Sequence, residues 1–338
     1  MNEAIILNVP AMIKVFALTG ISFIIAFLWT PILTSLLFKY KVWKHVKKDN
    51  APVFNKLHAH KENTPVMGGL LIWITALVIT LVFNFTRSQT WLPLFALVTT
   101  AILGAFDDYI NVRGIGQYKG IRARYKILWL LIIAALGAWW FFSKLGWGLH
   151  GIHLPGIGDF AIGFWYIPLF IFVIIATANA VNITDGLDGL AGGLLSMAFL
   201  FFGVIAFVQQ QYGIAAFCGT IAGATIAFLW FNIYPARFFM GDTGAMSLGA
   251  TLGVVAMLTN SVVVLPIIGF VFVFETLSVI IQRCYRKLTG GKKLILSSPI
   301  HNHFQAIGWH ETKVTTRFWL IGAIAGIIGL VIALIGRG

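Results

Sequence analysis

The sequence predicts an all-α integral membrane protein of about ten transmembrane helices, organised as one membrane domain over residues 1–338. Three observations lead there: a composition too apolar for a hydrated surface, apolar stretches of spanning length, and basic residues gathered on alternate connections. Of 338 residues, 59% are hydrophobic and 10% charged, and the mean hydropathy is +0.90. Soluble domains carry roughly a quarter charged residues, so this chain has too few to cover a water-facing exterior.

Apolar stretches lie near 12–38, 66–86, 91–106, 125–142, 163–181, 189–208, 212–231, 244–260, 262–282 and 318–336. Each approaches the ~20 residues that cross a ~30 Å hydrocarbon core as helix. Lipid offers the backbone no hydrogen-bond partners, so helices are expected and open strands are not. The first stretch follows no basic leader and is too long for a signal-peptide core, so it is expected to remain as a span. Cys218 falls within one span and Cys284 at the end of another, which argues against a structural disulfide.

Charge placement gives the orientation. Of 24 Lys and Arg, seven lie between the first two spans (Lys39, Lys41, Lys44, Lys47, Lys48, Lys56, Lys61). Five lie between the third and fourth (Arg113, Lys119, Arg122, Arg124, Lys126), Arg237 follows the seventh, and seven follow the ninth. By the positive-inside rule the odd-to-even connections face the cytoplasm and both termini lie outside. The net charge of +13 fits this bias together with attraction to anionic headgroups. Short basic connections without interleaved aromatics do not suit nucleic acid.

Only eleven acids occur, and five cluster at expected cytoplasmic helix ends: Asp107, Asp108, Asp185, Asp188 and Asp242. Asp107 and Asp108 are expected to end the third span. A helix C-terminus disfavours acids, so a bound cation, or one carboxylate serving as base, would account for the pair. Between the fifth and sixth spans come Asn179, Asn182, Asp185, Gly186, Leu187, Asp188 and Gly189. Asp188 alone could be a helix cap. Two amides, a second acid and two glycines go beyond capping and suit a ribose or a base edge. The seventh connection carries Asn232, Phe239, Gly241 and Asp242. Asp242 can be read as a cap or as a ligand for Mg²⁺, which takes few carboxylates plus phosphate and water.

After the ninth span come Pro299, His301, Asn302 and His303. Two histidines without a third well-placed ligand suit zinc poorly and phosphate oxygens better. Lys61 and Thr64 flank a tight turn expected to bring both to one surface. Carboxylates for a metal, cations for phosphate and a membrane-surface location together point to phosphoryl transfer between a soluble and a lipid partner.

In order along the chain, the turn at 64–69, Asp107-Asp108, the 179–189 connection, 232–244, and 299–304 followed by Gly308-Trp309 resemble the bacterial phospho-N-acetylmuramoyl-pentapeptide transferases. That family lies within the polyprenyl-phosphate N-acetylhexosamine-1-phosphate transferases, and the resemblance spans about residues 60–320. It implies ten helices, Mg²⁺ dependence, a homodimer and a bacterial inner-membrane location. It also implies transfer of phospho-MurNAc-pentapeptide from UDP-MurNAc-pentapeptide to undecaprenyl phosphate. The products would be UMP and lipid I, for peptidoglycan synthesis and hence cell shape and division. Carried over by residue, Asp242 would hold Mg²⁺, and Asp107 and Asp108 would stand beside the reacting phosphate, with Asp108 the preferred base. Asn182, Asp185, Gly186, Leu187 and Asp188 would meet the uridine, with Phe239 stacked on uracil. Asn232, His301 and His303 would line the diphosphate site. Lys61, Thr64, Lys119, Lys126, Asn179, Gly241, Gln282 and Asn302 complete the set. The family has three successive histidines where this chain has His301-Asn302-His303, and Gln305 stands where an acid is common. The imidazolium charge of the middle position is therefore lost.

Two other readings compete. A sister transferase would use UDP-GlcNAc, but the last loop resembles the muramoyl branch. A transporter or flippase would place ionisable groups near the bilayer midplane, where only Glu275 falls. Glu275 is a functional candidate by position without an assigned role.

Overall fold

The computed structural model describes residues 8–43, 55, 61–86, 88–115, 120–144 and 151–335. Lys44, Lys47, Lys48, Lys56 and Lys119 lie outside the described residues. Helices fall on the expected apolar stretches in order: α1 (Val9–Lys39), α2 (Gly69–Phe83), α3 (Trp91–Arg113) and α4 (Ala123–Lys144). A two-stranded antiparallel hairpin follows, β1 (Ile152–Leu154) with β2 (Gly158–Phe160), then α5 (Tyr166–Thr184), α6 (Leu190–Val208) and α7 (Tyr212–Asn232). The rest is α8 (Asp242–Leu258), the short α9 (Leu265–Ile268), α10 (Phe270–Leu288), α11 (Ile300–Ala306) and α12 (Glu311–Ile335).

An all-α membrane architecture is what these elements make. Among the described residues, seven helices are long and apolar enough to cross a membrane: α1, α3, α4, α5 with its preceding turn, α6, α7 and α12. The helices α2 and α8 are shorter and apolar. Outer helices turn bare hydrocarbon outward, as at Phe16, Leu28 and Ile32 of α1, each more than 60% exposed. Water would make such a surface costly; lipid does not.

The hub is α8, all seventeen of whose residues are buried. It packs chiefly against α3 and α5, while α7 packs against α1 and α6. Close approach of α3 to α8 depends on Gly104, where a Cβ would run into the Asp242 backbone. Asp107 and Asp108 lie three and four residues further along, on the same face of the helix. The packing that places α8 therefore also places the acids.

Two expectations need correction. The third stretch does not end at the acid pair: α3 continues to Arg113 and stops at Gly114, which takes the left-handed conformation (φ 62°). The ninth stretch is not one continuous helix. Pro266 sits in the first turn of α9, the chain breaks at Gly269, and α10 runs on to Leu288 with a polar and an apolar face.

Candidate active site

The ends of α3, α4, α5 and α8 meet at one place. Lys126, near the start of α4, puts its ammonium 2.6 Å from Asp107 Oδ2 and 2.5 Å from Asp242 Oδ2. Asn182 of α5 donates to Asp242 Oδ1 at 2.9 Å, and the Ile121 amide donates to Asp107 Oδ1 at 2.6 Å. Two carboxylates thus converge on a single cation.

Asp108 is held differently. Its oxygens accept the Asp242 and Thr243 amides, at 3.2 and 3.1 Å. These are the first amides of α8, which a helix leaves without internal partners and which favour an anion. Gly241, the residue before α8, has φ 75° and supplies no capping side chain, so the carboxylate that caps α8 comes from α3. Asp242 is therefore not the cap of its own helix. The acid pair does not sit at a helix C-terminus either: Lys126 answers one charge and a helix N-terminus the other.

A second cluster surrounds Lys61, whose ammonium lies 2.7 Å from Asp188 Oδ1 and 2.5 Å from Glu311 Oε1. Glu311 Oε1 also accepts the Asp188 amide at 2.6 Å, and Asp188 Oδ2 accepts the Ala236 amide at 2.9 Å. Asn232 accepts from the Gly189 amide and donates to the Phe238 carbonyl. The Phe239 ring lies 5.7 Å from the Lys61 ammonium. Lys61 is thus buried, although Thr64 closes the expected turn by donating its amide to the Lys61 carbonyl at 3.3 Å. The side chain of Asp188 does not cap α6; it ties three segments together.

The third group lies on α10 and α11. Gln282 accepts the Leu294 and Ile295 amides at 3.0 and 3.1 Å, holding the bent approach to α11. His303 Nδ1 accepts from the Leu296 amide at 3.4 Å. His301 and Asn302 are buried, and the Asn302 side-chain oxygen finds no partner among the described residues. Asp185 and Gly186 are half-buried in the turn that ends α5, Leu187 is in the core, and Asn179 donates back to the Ile175 carbonyl within α5. Lys119 lies outside the described residues.

Glu311 escaped sequence reasoning. It precedes an apolar run and reads as an ordinary first-turn acid; its partner Lys61 is 250 residues away.

The donor set near Lys126 fits Mg²⁺. Among the described residues no three His, Cys, Asp or Glu side chains gather as a metal cage. Mg²⁺ asks for less, since it keeps waters and takes phosphate oxygens beside one or two carboxylates. Oxygens of Asp107 and Asp242 that already share one cation are chemically suited to a second.

Known proteins are similar to this chain in sequence. The Glycosyl transferase family 4 model matches residues 90–260, which include the Asp107, Lys126, Asn182 and Asp242 cluster. A phospho-N-acetylmuramoyl-pentapeptide-transferase of Chloroflexus aurantiacus is 40% identical over 309 residues, covering 88% of this chain and 83% of the relative. The chain belongs to this family. Family members from Geobacillus sp. and Bacillus anthracis are each 38% identical, covering 92% and 93% of this chain and 95% and 96% of their own lengths. These matches extend beyond the stretch that the family model covers.

Proposed function

We propose that the protein transfers phospho-MurNAc-pentapeptide from its UDP carrier to undecaprenyl phosphate, releasing UMP and forming lipid I for peptidoglycan synthesis. The observation that carries the proposal is the convergence of Asp107 and Asp242 on Lys126, at the meeting of four helix ends. Relatives named phospho-N-acetylmuramoyl-pentapeptide-transferase over most of the chain favour the muramoyl nucleotide over UDP-GlcNAc. The proposed setting is the bacterial inner membrane, with the site facing the cytoplasm and the protein acting as a homodimer.

Asp242, steadied by Asn182, would hold Mg²⁺ together with diphosphate oxygens. Bound there, the ion would neutralise the charge that builds on the leaving UMP. Lys126 is placed to follow that charge, because its ammonium is already beside both acids and its side chain is 25% exposed. Asp108 has its oxygens committed to the start of α8 and is better suited to anchoring than to proton transfer. We therefore assign the base to Asp107, in exchange for the role expected of Asp108. Its Oδ2 faces the Lys126 ammonium, and release of that contact frees this oxygen toward the lipid phosphate. The turn at 182–189 and Phe239 would receive the uridine, and His301 and His303 the diphosphate.

The test presents purified protein and undecaprenyl phosphate with Mg²⁺ and either UDP-MurNAc-pentapeptide or UDP-GlcNAc. UMP is expected only with the muramoyl nucleotide. Comparable release from UDP-GlcNAc would overturn the assignment.

A further inference from the structure

Glu275 lies in the first half of α10 and is completely buried, in a protein with only eleven acids. A buried carboxylate is costly to keep unless a partner compensates it. Its neighbour is His301, whose Nδ1 is 3.0 Å from Glu275 Oε2; the ring is 1% exposed.

Glu275 does not stand alone on its helix. Three residues on is Ser278, whose Oγ accepts the Ile300 amide at 3.0 Å. Seven residues on is Gln282, which accepts two amides and donates to the Ile295 carbonyl at 3.0 Å. Offsets of three and seven put all three on one face of a helix. That face is the polar side of α10, and each of the three groups grips the segment from 294 to 301. The stripe is a rail that sets where α11 begins, and Glu275 holds its last contact, the imidazole itself.

The other edge of the ring is fixed as well. Gly186 stands so close to it that a Cβ there would run into His301 Nε2 and Cε1. A ring pinned between a carboxylate at Nδ1 and a glycine at Nε2 has one orientation. The carboxylate and Nδ1 meet at ion-pair distance but out of hydrogen-bond alignment, and neither the carboxylate oxygens nor Nδ1 has another hydrogen-bond partner among the described residues. Only a proton on Nδ1 turned toward the carboxylate satisfies both, since a carboxylate can only accept. Nε2 is left facing the turn at Asp185 and Gly186.

We infer that Glu275 is a positioning residue for His301, fixing its Nδ1–H tautomer so that Nε2 faces the nucleotide side of the transfer site. It acts through the imidazole and touches no substrate. A partner of this kind orients histidine ligands in metal sites, where its loss costs roughly 10–100-fold. The inference rests on the transfer reaction proposed above only for its kinetic readout.

The experiment combines kinetics with ¹⁵N NMR of histidine-labelled protein in detergent. The wild-type protein is measured first; failure to release UMP would sink the transfer proposal, while the ¹⁵N signature still decides this one. Glu275→Gln is expected to lower turnover about 10–100-fold with little change in KM for the nucleotide. In a His301→Ala background the same substitution is expected to cost less than about twofold, because the residue it acts through is gone. His301 in the wild type should carry its proton on Nδ1, and Glu275→Gln, whose amide can turn and donate, should shift that population. An equal loss in both backgrounds, unchanged turnover in Glu275→Gln, or a wild-type His301 protonated on Nε2 alone would each overturn the inference. If Glu275→Gln fails to fold, the wild-type tautomer still decides between the two outcomes.

Discussion

Lys61 and Lys126 each stand between two carboxylates, at similar distances and in very different surroundings. The Lys61 side chain is 6% exposed, and its partners Asp188 and Glu311 spend further lone pairs on the backbone amides of Asp188 and Ala236. Lys126 is 25% exposed, and Asp107 and Asp242 each direct an Oδ2 at its ammonium, an oxygen equally competent for a metal. One lysine is sealed into the join between chain segments far apart in sequence. The other keeps a quarter of its side chain exposed, as the proposed exchange for a metal requires. The same three charges make a lock in one place and, in the proposed reaction, an exchangeable ion site in the other; the carboxylates are buried in both, and what separates the two is the exposure of the lysine.

The contrast predicts opposite outcomes for activity and stability. The largest effects are expected on turnover at the exchangeable site. Asp107→Asn should lower it about 10²–10⁴-fold, the range for loss of a general base. The loss should shrink as pH rises past about 6, where a phosphomonoester sheds its second proton and needs no base. Asp242→Asn should lower turnover by at least ~100-fold and raise the Mg²⁺ concentration for half-maximal rate. Thermal midpoints should barely move in either variant. A large midpoint drop without a change in Mg²⁺ demand would make this cluster a second lock.

Next in size is the lock itself. Lys61→Met leaves two buried carboxylates uncompensated, and breaking a buried pair costs about 3–5 kcal/mol. Thermal unfolding in detergent should show that loss, and Lys126→Met, whose lysine is more exposed, should show a smaller one. Equal destabilisation in the two variants would erase the distinction.

How much of this was legible in the sequence follows the same line. The helices were legible because lipid forces each apolar stretch to satisfy its own backbone, and α1 to α8 follow the stretches closely. The candidate acids were legible because eleven acids in 338 residues leave little room for incidental ones. Pairings were not. Nothing near Lys61 announces Glu311, and nothing near Asp108 announces that it caps α8, because both contacts join residues more than a hundred positions apart. The continuation of α3 past the acids was hidden for a related reason. Polar residues from Asp107 to Arg113 look like an end when they are the last turns of a helix whose charges are answered by other elements.

That cap gives the third prediction. Asp108→Ala removes the acceptor for the first amides of α8, and losing a cap costs about 0.5–2 kcal/mol. Asp108→Asn keeps one acceptor oxygen and should recover most of the stability. Were Asp108 the base instead, Asn would fold well and still lose turnover by the full general-base factor, with the same easing at high pH predicted for Asp107→Asn. Running both pairs side by side assigns the roles.

The smallest expected effect concerns Asn302, which tests whether the region beside the lock also serves substrate. Its side chain is buried and its oxygen has no partner among the described residues. A buried acceptor left unmade costs about 1–3 kcal/mol, and replacing it with an apolar group of similar shape is neutral or stabilising. Asn302→Leu should therefore hold or raise the stability of the free protein, by about 1 kcal/mol. If the oxygen is kept to receive a donor from the nucleotide, the same change should raise KM for that substrate about five- to tenfold, the equivalent of one ordinary hydrogen bond, with kcat little altered. Thermal unfolding with and without nucleotide separates the alternatives. A ligand that stabilises wild type and Asn302→Leu equally makes no use of this oxygen, which would then belong with Asp188 and Glu311 to the architecture. A smaller ligand-induced rise in the variant would place Asn302 with the exchangeable groups, as a site that is incomplete until substrate arrives.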